Sequence, residues 1–153
     1  MKLLSAACSD RGIKKKINQD SLLVRSAMTK EGEILLAAVC DGMGGLEKGE
    51  VASGEVIRAL ARWFEATLPL LLSGGQEKIT PEWKSGVYYP GMGFLVCSDG
   101  FCNQLLDGEL EERFCRNYLR AEWEMEENLK EVMEQNKRRM ETDNLSAIWI
   151  SVQ

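Results

Sequence analysis

The chain has 153 residues, the size of one domain with a buried core. Its net charge of −5 disfavours nucleic acid as a partner, because nothing in it could neutralise a run of phosphates. It contains no histidine, which excludes Ser-His-Asp and Cys-His catalysis and His-ligated zinc, so any chemistry must use carboxylates, Lys or Arg, hydroxyls, thiols or a metal.

The first half of the chain predicts three strands followed by a helix. Residues 2–9 and 21–27 have the composition of short strands on either side of a polar, basic turn. Residues 34–40 form a continuous apolar run, which predicts a strand buried on both faces. From 49 to 72, apolar residues recur at three- and four-residue spacing, which predicts a helix ended by the Ser-Gly-Gly sequence 73–75. Its predicted inner face consists of Val56, Ile57, Leu60, Ala61, Phe64 and Leu68.

The second half predicts a strand, two helices and a closing strand. Residues 94–97 are apolar and run into Ser98, while 108–119 and 122–140 have the pattern of amphipathic helices. The apolar run 145–152 predicts the last strand. Because no linker is long enough to separate two domains, we expect one domain of the α/β (α+β) class over residues 1–153.

The cysteines and the apolar runs indicate a cytoplasmic protein. Five cysteines form no CxxC pair, which favours reduced thiols. The apolar stretch before Cys8 is too short for a secretion signal, and no run approaches the roughly 20 residues of a membrane span. We therefore expect neither export nor a membrane partner.

Four aspartates occupy the same kind of position. Asp20, Asp41, Asp99 and Asp143 each lie at the edge of an apolar strand, where a rigid sheet can direct side chains to one place. A glycine follows Asp41 and Asp99, and Asp-Gly pairs are common in ordinary turns. Four such aspartates together favour a binding site for hard cations, since carboxylates, backbone carbonyls and water suit Mg²⁺ or Mn²⁺.

The residues around these aspartates resemble the bacterial form of the metal-dependent type 2C (PPM) protein serine/threonine phosphatase family. The similar segments occur in the family's order, and Asp-Gly-Met-Gly-Gly followed by Gly-Glu-x-Ala-Ser is a specific signal. They are 9–12 (Ser-Asp-Arg-Gly), 18–20 (Asn-Gln-Asp), 39–45 (Val-Cys-Asp-Gly-Met-Gly-Gly), 49–53 (Gly-Glu-Val-Ala-Ser), 97–100 (Cys-Ser-Asp-Gly) and 143–144 (Asp-Asn).

This resemblance implies a fold, a cofactor and a reaction. The fold would be two packed, mostly antiparallel sheets flanked by helices. Two Mg²⁺ or Mn²⁺ ions would be bound, with Asp41 bridging them, the Gly42 carbonyl on the second, and Asp99 and Asp143 on the first. Asp20 would hold metal-bound water. A water bridging the two ions would then hydrolyse phosphoserine or phosphothreonine in a phosphoprotein, without a covalent phosphoenzyme.

The chain departs from the family pattern in two places. The usual phosphate-binding arginine is replaced by Lys15, which supplies charge but no bidentate fork, and Arg11 and Lys14 are nearby candidates for that role. The central strands that the family carries have no counterpart in 73–93, which predicts an internal deletion and an incomplete sheet. Exposed sheet edges invite pairing, so we expect a dimer as one outcome.

Two other functions compete with this interpretation. A degenerate phosphatase could bind metal or phosphoprotein without turnover, and the loss of the middle favours it. A cysteine-dependent phosphatase is excluded, because no cysteine is followed six positions later by the arginine that such a phosphate loop requires. The enzyme interpretation also implies a cognate Ser/Thr kinase as a functional partner.

Overall fold

The computed structural model describes residues 2–30, 32–42, 48–72, 86–115 and 121–153. The strands in these ranges are β1 (Leu3–Asp10), β2 (Ser21–Thr29), β3 (Gly32–Cys40), β4 (Gly93–Cys97) and β5 (Leu145–Val152). The helices are α1 (Gly49–Leu72), α2 (Asp99–Cys102) and α3 (Glu122–Arg138), and Glu111–Cys115 forms a π-helical turn.

The strands form two antiparallel sheets. One has the order β1-β5-β4 and the other is the pair β2-β3. In the first sheet, β5 is central and most of its residues are buried, whereas β1 alternates between its two faces, with Leu4, Ala6 and Cys8 turned inward. Strands and helices thus form a mixed α+β domain, as predicted.

The two sheets pack face to face, with one long helix on each outer side. Helix α1 contacts β2 and β3, α3 contacts β1 and β5, and β1, β4 and β5 meet the second sheet. The predicted sandwich of two sheets flanked by helices is therefore confirmed. Its core lies between α3 and the three-stranded sheet, where the Phe114 ring stacks on Trp149 at a centroid distance of 4.2 Å.

Helix α3 shows why this side is the core. Met125, Leu129, Val132 and Met133 recur at helical spacing and are buried, while the intervening charged residues face solvent. Within the described part of the chain, no helix is long and apolar enough to cross a membrane.

Several sequence-based details need correction. Strand β3 is half-buried along its length rather than fully buried, because only one other described strand pairs with it. Val56 is 49% exposed, so it does not belong to the inner face of α1. The helix expected over 108–119 is a π-helical turn over Glu111–Cys115 among the described residues. Residues 116–120, the predicted helix stop 73–75 and most of the predicted deletion region lie outside the described ranges.

Candidate active site

The strand registers bring four aspartates to one edge of the sandwich. Ser21 pairs with Cys40, so Asp20 and Asp41 lie at the same end of the two-stranded sheet. In the other sheet, Cys97 pairs with Ala147, which places the Asp99 and Asp143 segments at a common end. The neighbouring edge of β1 ends at Asp10, opposite Leu145, so the basic turn 11–16 starts from this same edge.

Close backbone contacts join the loops that carry these aspartates. A Cβ added at Gly100 would clash with the Asn144 carbonyl oxygen, so only glycine permits this approach of the Asp99 and Asp143 segments. A Cβ at Gly42 would lie 2.7 Å from the Gln19 carbonyl oxygen. Each Asp-Gly pair therefore serves close packing between two aspartate-bearing segments.

Asn144 and Ser53 fix the segment before Asp20. The buried Asn144 side chain accepts a hydrogen bond from the Gln19 N–H at 3.0 Å and donates to the carbonyls of Arg11, at 2.8 Å, and Ile17, at 3.3 Å. On the other side, Ser53 Oγ of α1 donates to the Gln19 carbonyl at 2.6 Å. Neither role was predicted, and only their presence in the Gly-Glu-Val-Ala-Ser and Asp-Asn segments could have indicated them.

The electrostatics show that the four carboxylates act on one another. Burial, followed by the charges of Asp20, Asp99 and Asp143 and a hydrogen bond with Asp20, raises the pKa of Asp41 to about 6. Although Asp41 is exposed as a residue, the carboxylates of Asp20, Asp99 and Asp143 are close enough to act on its ionisation.

Asp20 lacks the donors that a buried carboxylate needs. Both of its side-chain oxygens are inaccessible to solvent, and neither receives a hydrogen bond from the residues that the structure describes. A proton bound by Asp41 would supply one such bond, and the charge of Asp20 is a larger cause of the raised Asp41 pKa than this hydrogen bond. A cation would satisfy both groups, so this donor set fits a hard divalent metal.

Lys15 provides the positive charge on this edge. Its Nζ lies 2.7 Å from Asp143 Oδ1. Burial opposes ionisation of Asp143, but the ion pair with Lys15 and the Asn144 N–H hold the Asp143 pKa below its usual range. Arg11, by contrast, is exposed and donates to the Lys16 carbonyl at 3.4 Å. Lys15 is therefore the basic residue that contacts the acidic edge.

The described side chains do not close on a metal by themselves. Across the described ranges, no three His, Cys, Asp or Glu side chains are grouped tightly enough to hold an ion. Mutual repulsion opposes such closure until a cation neutralises it. The assignment of Asp20, Asp41, Gly42, Asp99 and Asp143 as ligands stays a prediction.

Three of the described cysteines lack the features of a catalytic thiolate. Burial raises the pKa of Cys8, of Cys40 and of Cys97, in the last case together with a hydrogen bond to Cys102. These three groups are therefore neutral thiols at physiological pH, which disfavours their attack on a phosphate ester to form a phosphocysteine.

Two solved structures have the same fold. The serine/threonine phosphatase Stp1 from Staphylococcus aureus matches with a TM-score of 0.68 over 100% of this chain and 96% of that one, at 14% identity. The S. agalactiae serine/threonine phosphatase matches with a TM-score of 0.67 over 99% of this chain and 100% of that one, also at 14% identity. No family model and no curated protein sequence matches the chain.

The two-sheet sandwich of this chain thus has known counterparts. The chain has the fold of the bacterial type 2C serine/threonine phosphatases, as its sequence motifs predicted. Both alignments run across nearly the whole of the two proteins. A deletion within 73–93 stays a prediction.

Proposed function

We propose that this chain is a metal-dependent protein phosphatase that hydrolyses phosphoserine and phosphothreonine. The observation that carries the proposal is the position of Asp41, which interacts with the charges of Asp20, Asp99 and Asp143 at one edge of a phosphatase fold. Carboxylates that merely capped separate turns would not perturb one another in this way. Its substrate would be a phosphoprotein. We further expect a cognate Ser/Thr kinase as a functional partner and a cytoplasmic location.

The residues that would hold the cofactor are those of the acidic edge. Asp41, Asp99, Asp143 and the Gly42 carbonyl would bind two Mg²⁺ or Mn²⁺ ions, with Asp20 beside them. Such ions acidify water and neutralise charge on phosphoryl oxygens. The unsatisfied oxygens of Asp20 support this fit, because a cation or a water bound to it would give them a partner.

The chain's own groups would orient the substrate and the water. Lys15 Nζ can leave Asp143 for a phosphoryl oxygen when a stronger cation occupies the carboxylates, and it would then attract the phosphate dianion. Arg11, exposed at the rim, would add charge during approach. Asp20 and Asp41 would accept hydrogen bonds from the attacking water, which they hold in line with the ester.

The test is hydrolysis of a phosphothreonine peptide by the full chain. We expect activity with Mn²⁺, its loss with a chelator, and its loss in Asp143→Ala. Asp107→Ala is the matched control, because Asp107 is also followed by glycine but lies in an exposed turn outside the acidic edge. Activity that persists in the presence of the chelator would contradict the proposal.

A second candidate is a phosphoprotein-binding module without turnover. It is favoured by the separation of the described carboxylates, which do not group into a ready cation site. Binding of the phosphothreonine peptide by calorimetry, without its hydrolysis at any Mn²⁺ concentration, would select this candidate. Measured turnover would exclude it.

A further inference from the structure

Two thiols meet beside Asp99. Cys97 is the last residue of β4 and Cys102 the last residue of α2, and their Sγ atoms lie 2.8 Å apart. Both are free cysteines, and Cys102 is exposed. Since the sulfurs of a disulfide are about 2.05 Å apart, less than about 1 Å of approach would join them. The proposed phosphatase reaction uses neither thiol.

The residues between the two cysteines are firmly anchored. The buried Ser98 Oγ accepts a hydrogen bond from the Ser146 N–H at 3.0 Å. Phe101 is 0% exposed, and its carbonyl accepts a hydrogen bond from Asn136 at 2.7 Å. These contacts hold the two thiols next to each other. Asp99 is the exposed member of the enclosed segment.

We propose that Cys97 and Cys102 are an oxidation site, which a peroxide converts into a reversible disulfide that constrains the segment presenting Asp99. The exposed Cys102 sulfur attacks the peroxide, the O–O bond breaks, and a sulfenic acid and one water form, for hydrogen peroxide. The Cys97 sulfur then attacks that sulfenic sulfur. The S–O bond breaks, the S–S bond forms, and hydroxide leaves with the Cys97 proton as a second water. Two thiols are oxidised by two electrons and one peroxide is reduced.

The disulfide would act on the acidic edge through the backbone. Joining the sulfurs draws the end of α2 toward β4, while Ser98 and Phe101 stay anchored. The ring closed by the disulfide runs through Asp99, so strain in this ring acts on the backbone that presents the carboxylate, and metal ligands tolerate only about 0.5 Å of misplacement. This consequence rests on the proposed function, and we expect the oxidised chain to bind Mn²⁺ about tenfold more weakly than the reduced chain.

Peptide mass tests the site independently of activity. Cys97 and Cys102 are the only cysteines of the tryptic peptide 85–113, which has no internal Lys or Arg. After hydrogen peroxide, iodoacetamide and digestion of the full chain, we expect this peptide unalkylated and about 2 Da lighter, and we expect dithiothreitol to reverse the change. Cys102→Ser should prevent it, and Cys8→Ser, which removes a thiol in the core, should not. Two alkylated cysteines, or a sulfinic acid on Cys102 beside an alkylated Cys97, would overturn the proposal.

Calorimetric titration with Mn²⁺ then tests the coupling to Asp99. Weaker binding in the oxidised chain, restored by dithiothreitol and absent in Cys102→Ser, supports it. Equal affinities of the oxidised and reduced chains would overturn the coupling. If the disulfide forms but neither state binds Mn²⁺, the proposed phosphatase function fails while the oxidation site stands.

Discussion

Lys15 Nζ lies 2.7 Å from Asp143 Oδ1, so a cation of the chain itself already sits on the acidic edge. The hydrogen bond to Asp143 raises the pKa of Lys15, and the charges of Asp143, Asp41 and Asp99 add to this effect. Lys15 is therefore an internal counter-ion for the cluster. Any divalent cation that binds there must compete with it.

Replacing Lys15 by methionine should separate metal binding from substrate binding. Without the competing charge, we expect Mn²⁺ to bind about fivefold more tightly, equivalent to about 1 kcal/mol for a partly exposed pair. The KM for a phosphothreonine peptide should rise, because the phosphate loses ground-state attraction. Lys16→Met is the matched control, since Lys16 is exposed and makes no contact with Asp143 among the ion pairs of the described residues. Calorimetry and steady-state kinetics measure the two effects, and weaker Mn²⁺ binding in Lys15→Met would contradict the counter-ion role.

Asp41→Asn should have opposite effects on the metal-free and metal-bound proteins. Removing one charge from four interacting carboxylates relieves repulsion, so the melting temperature in chelator should rise. The increase in melting temperature that Mn²⁺ gives the wild type should be lost, because a proposed ligand is gone. Asp107→Asn, another Asp-Gly pair, should leave both values unchanged. If Mn²⁺ raised the melting temperature of Asp41→Asn as much as that of the wild type, Asp41 would not be a metal ligand.

The strand-edge aspartates were readable from the sequence because strand ends follow directly from apolar runs. Asp41 follows such a run and Asp20 precedes one, and the Ser21–Cys40 pairing then brings them to one edge. The roles of Asn144 and Ser53 were not predicted, because their contacts to Gln19 span 125 and 34 residues in sequence. No local sequence pattern indicates contacts between residues so far apart.

Short helical elements were the other feature that the sequence did not predict. Helix α2 spans only four residues, Asp99–Cys102, which is too short for a 3.6-residue period to be visible. The contact between Cys97 and Cys102 depends on that turn, so the sequence showed two cysteines without a relationship. Helix α1 was predicted with its observed bounds, because its 24 residues are long enough for the helical period to be visible.

The pH dependence of stability should follow Asp41 in the metal-free protein. Its pKa of about 6 in the folded state exceeds the value of 3.8 without the fold. Between these values the folded state holds a proton that the unfolded chain releases, so stability falls as pH rises through this window. Asp20, Asp99, Asp143 and Lys15 face this group, and the lowered pKa of Asp143 places its own titration below the window.

Thermal melts in chelator should therefore show a melting temperature a few degrees higher near pH 5 than near pH 7. Asp41→Asn should flatten this slope, and Mn²⁺ should do the same, since the cation replaces the proton. A melting temperature that rises from pH 5 to pH 7 in the wild type, with the slope unchanged in Asp41→Asn, would show that Asp41 is not strained by its neighbours.

Asn144→Ala should lower the stability of the protein and also reduce the increase in melting temperature that Mn²⁺ produces. Asn144 is 3% exposed, and its truncation leaves the Gln19 N–H and the Arg11 and Ile17 carbonyls without their partner. We expect the free energy of unfolding to fall by about 2–4 kcal/mol. Because the released segment carries Lys15 and Asp20, the Mn²⁺-induced shift in melting temperature should shrink as well.

Asn128→Ala is the matched variant for this experiment, because the one side-chain hydrogen bond of Asn128 among the described residues goes to the Arg113 carbonyl, at 3.2 Å, and not to a residue of the acidic edge. This substitution should lower the free energy of unfolding by about 1 kcal/mol and leave the Mn²⁺-induced shift in melting temperature unchanged. Denaturant unfolding gives the stabilities, and melts with and without Mn²⁺ give the response. If Asn144→Ala lost stability but kept the wild-type Mn²⁺ shift, Asn144 would support only the fold, and other contacts, such as Ser53 to the Gln19 carbonyl and the Asn18 side chain to the Asp20 N–H, would maintain the position of Asp20.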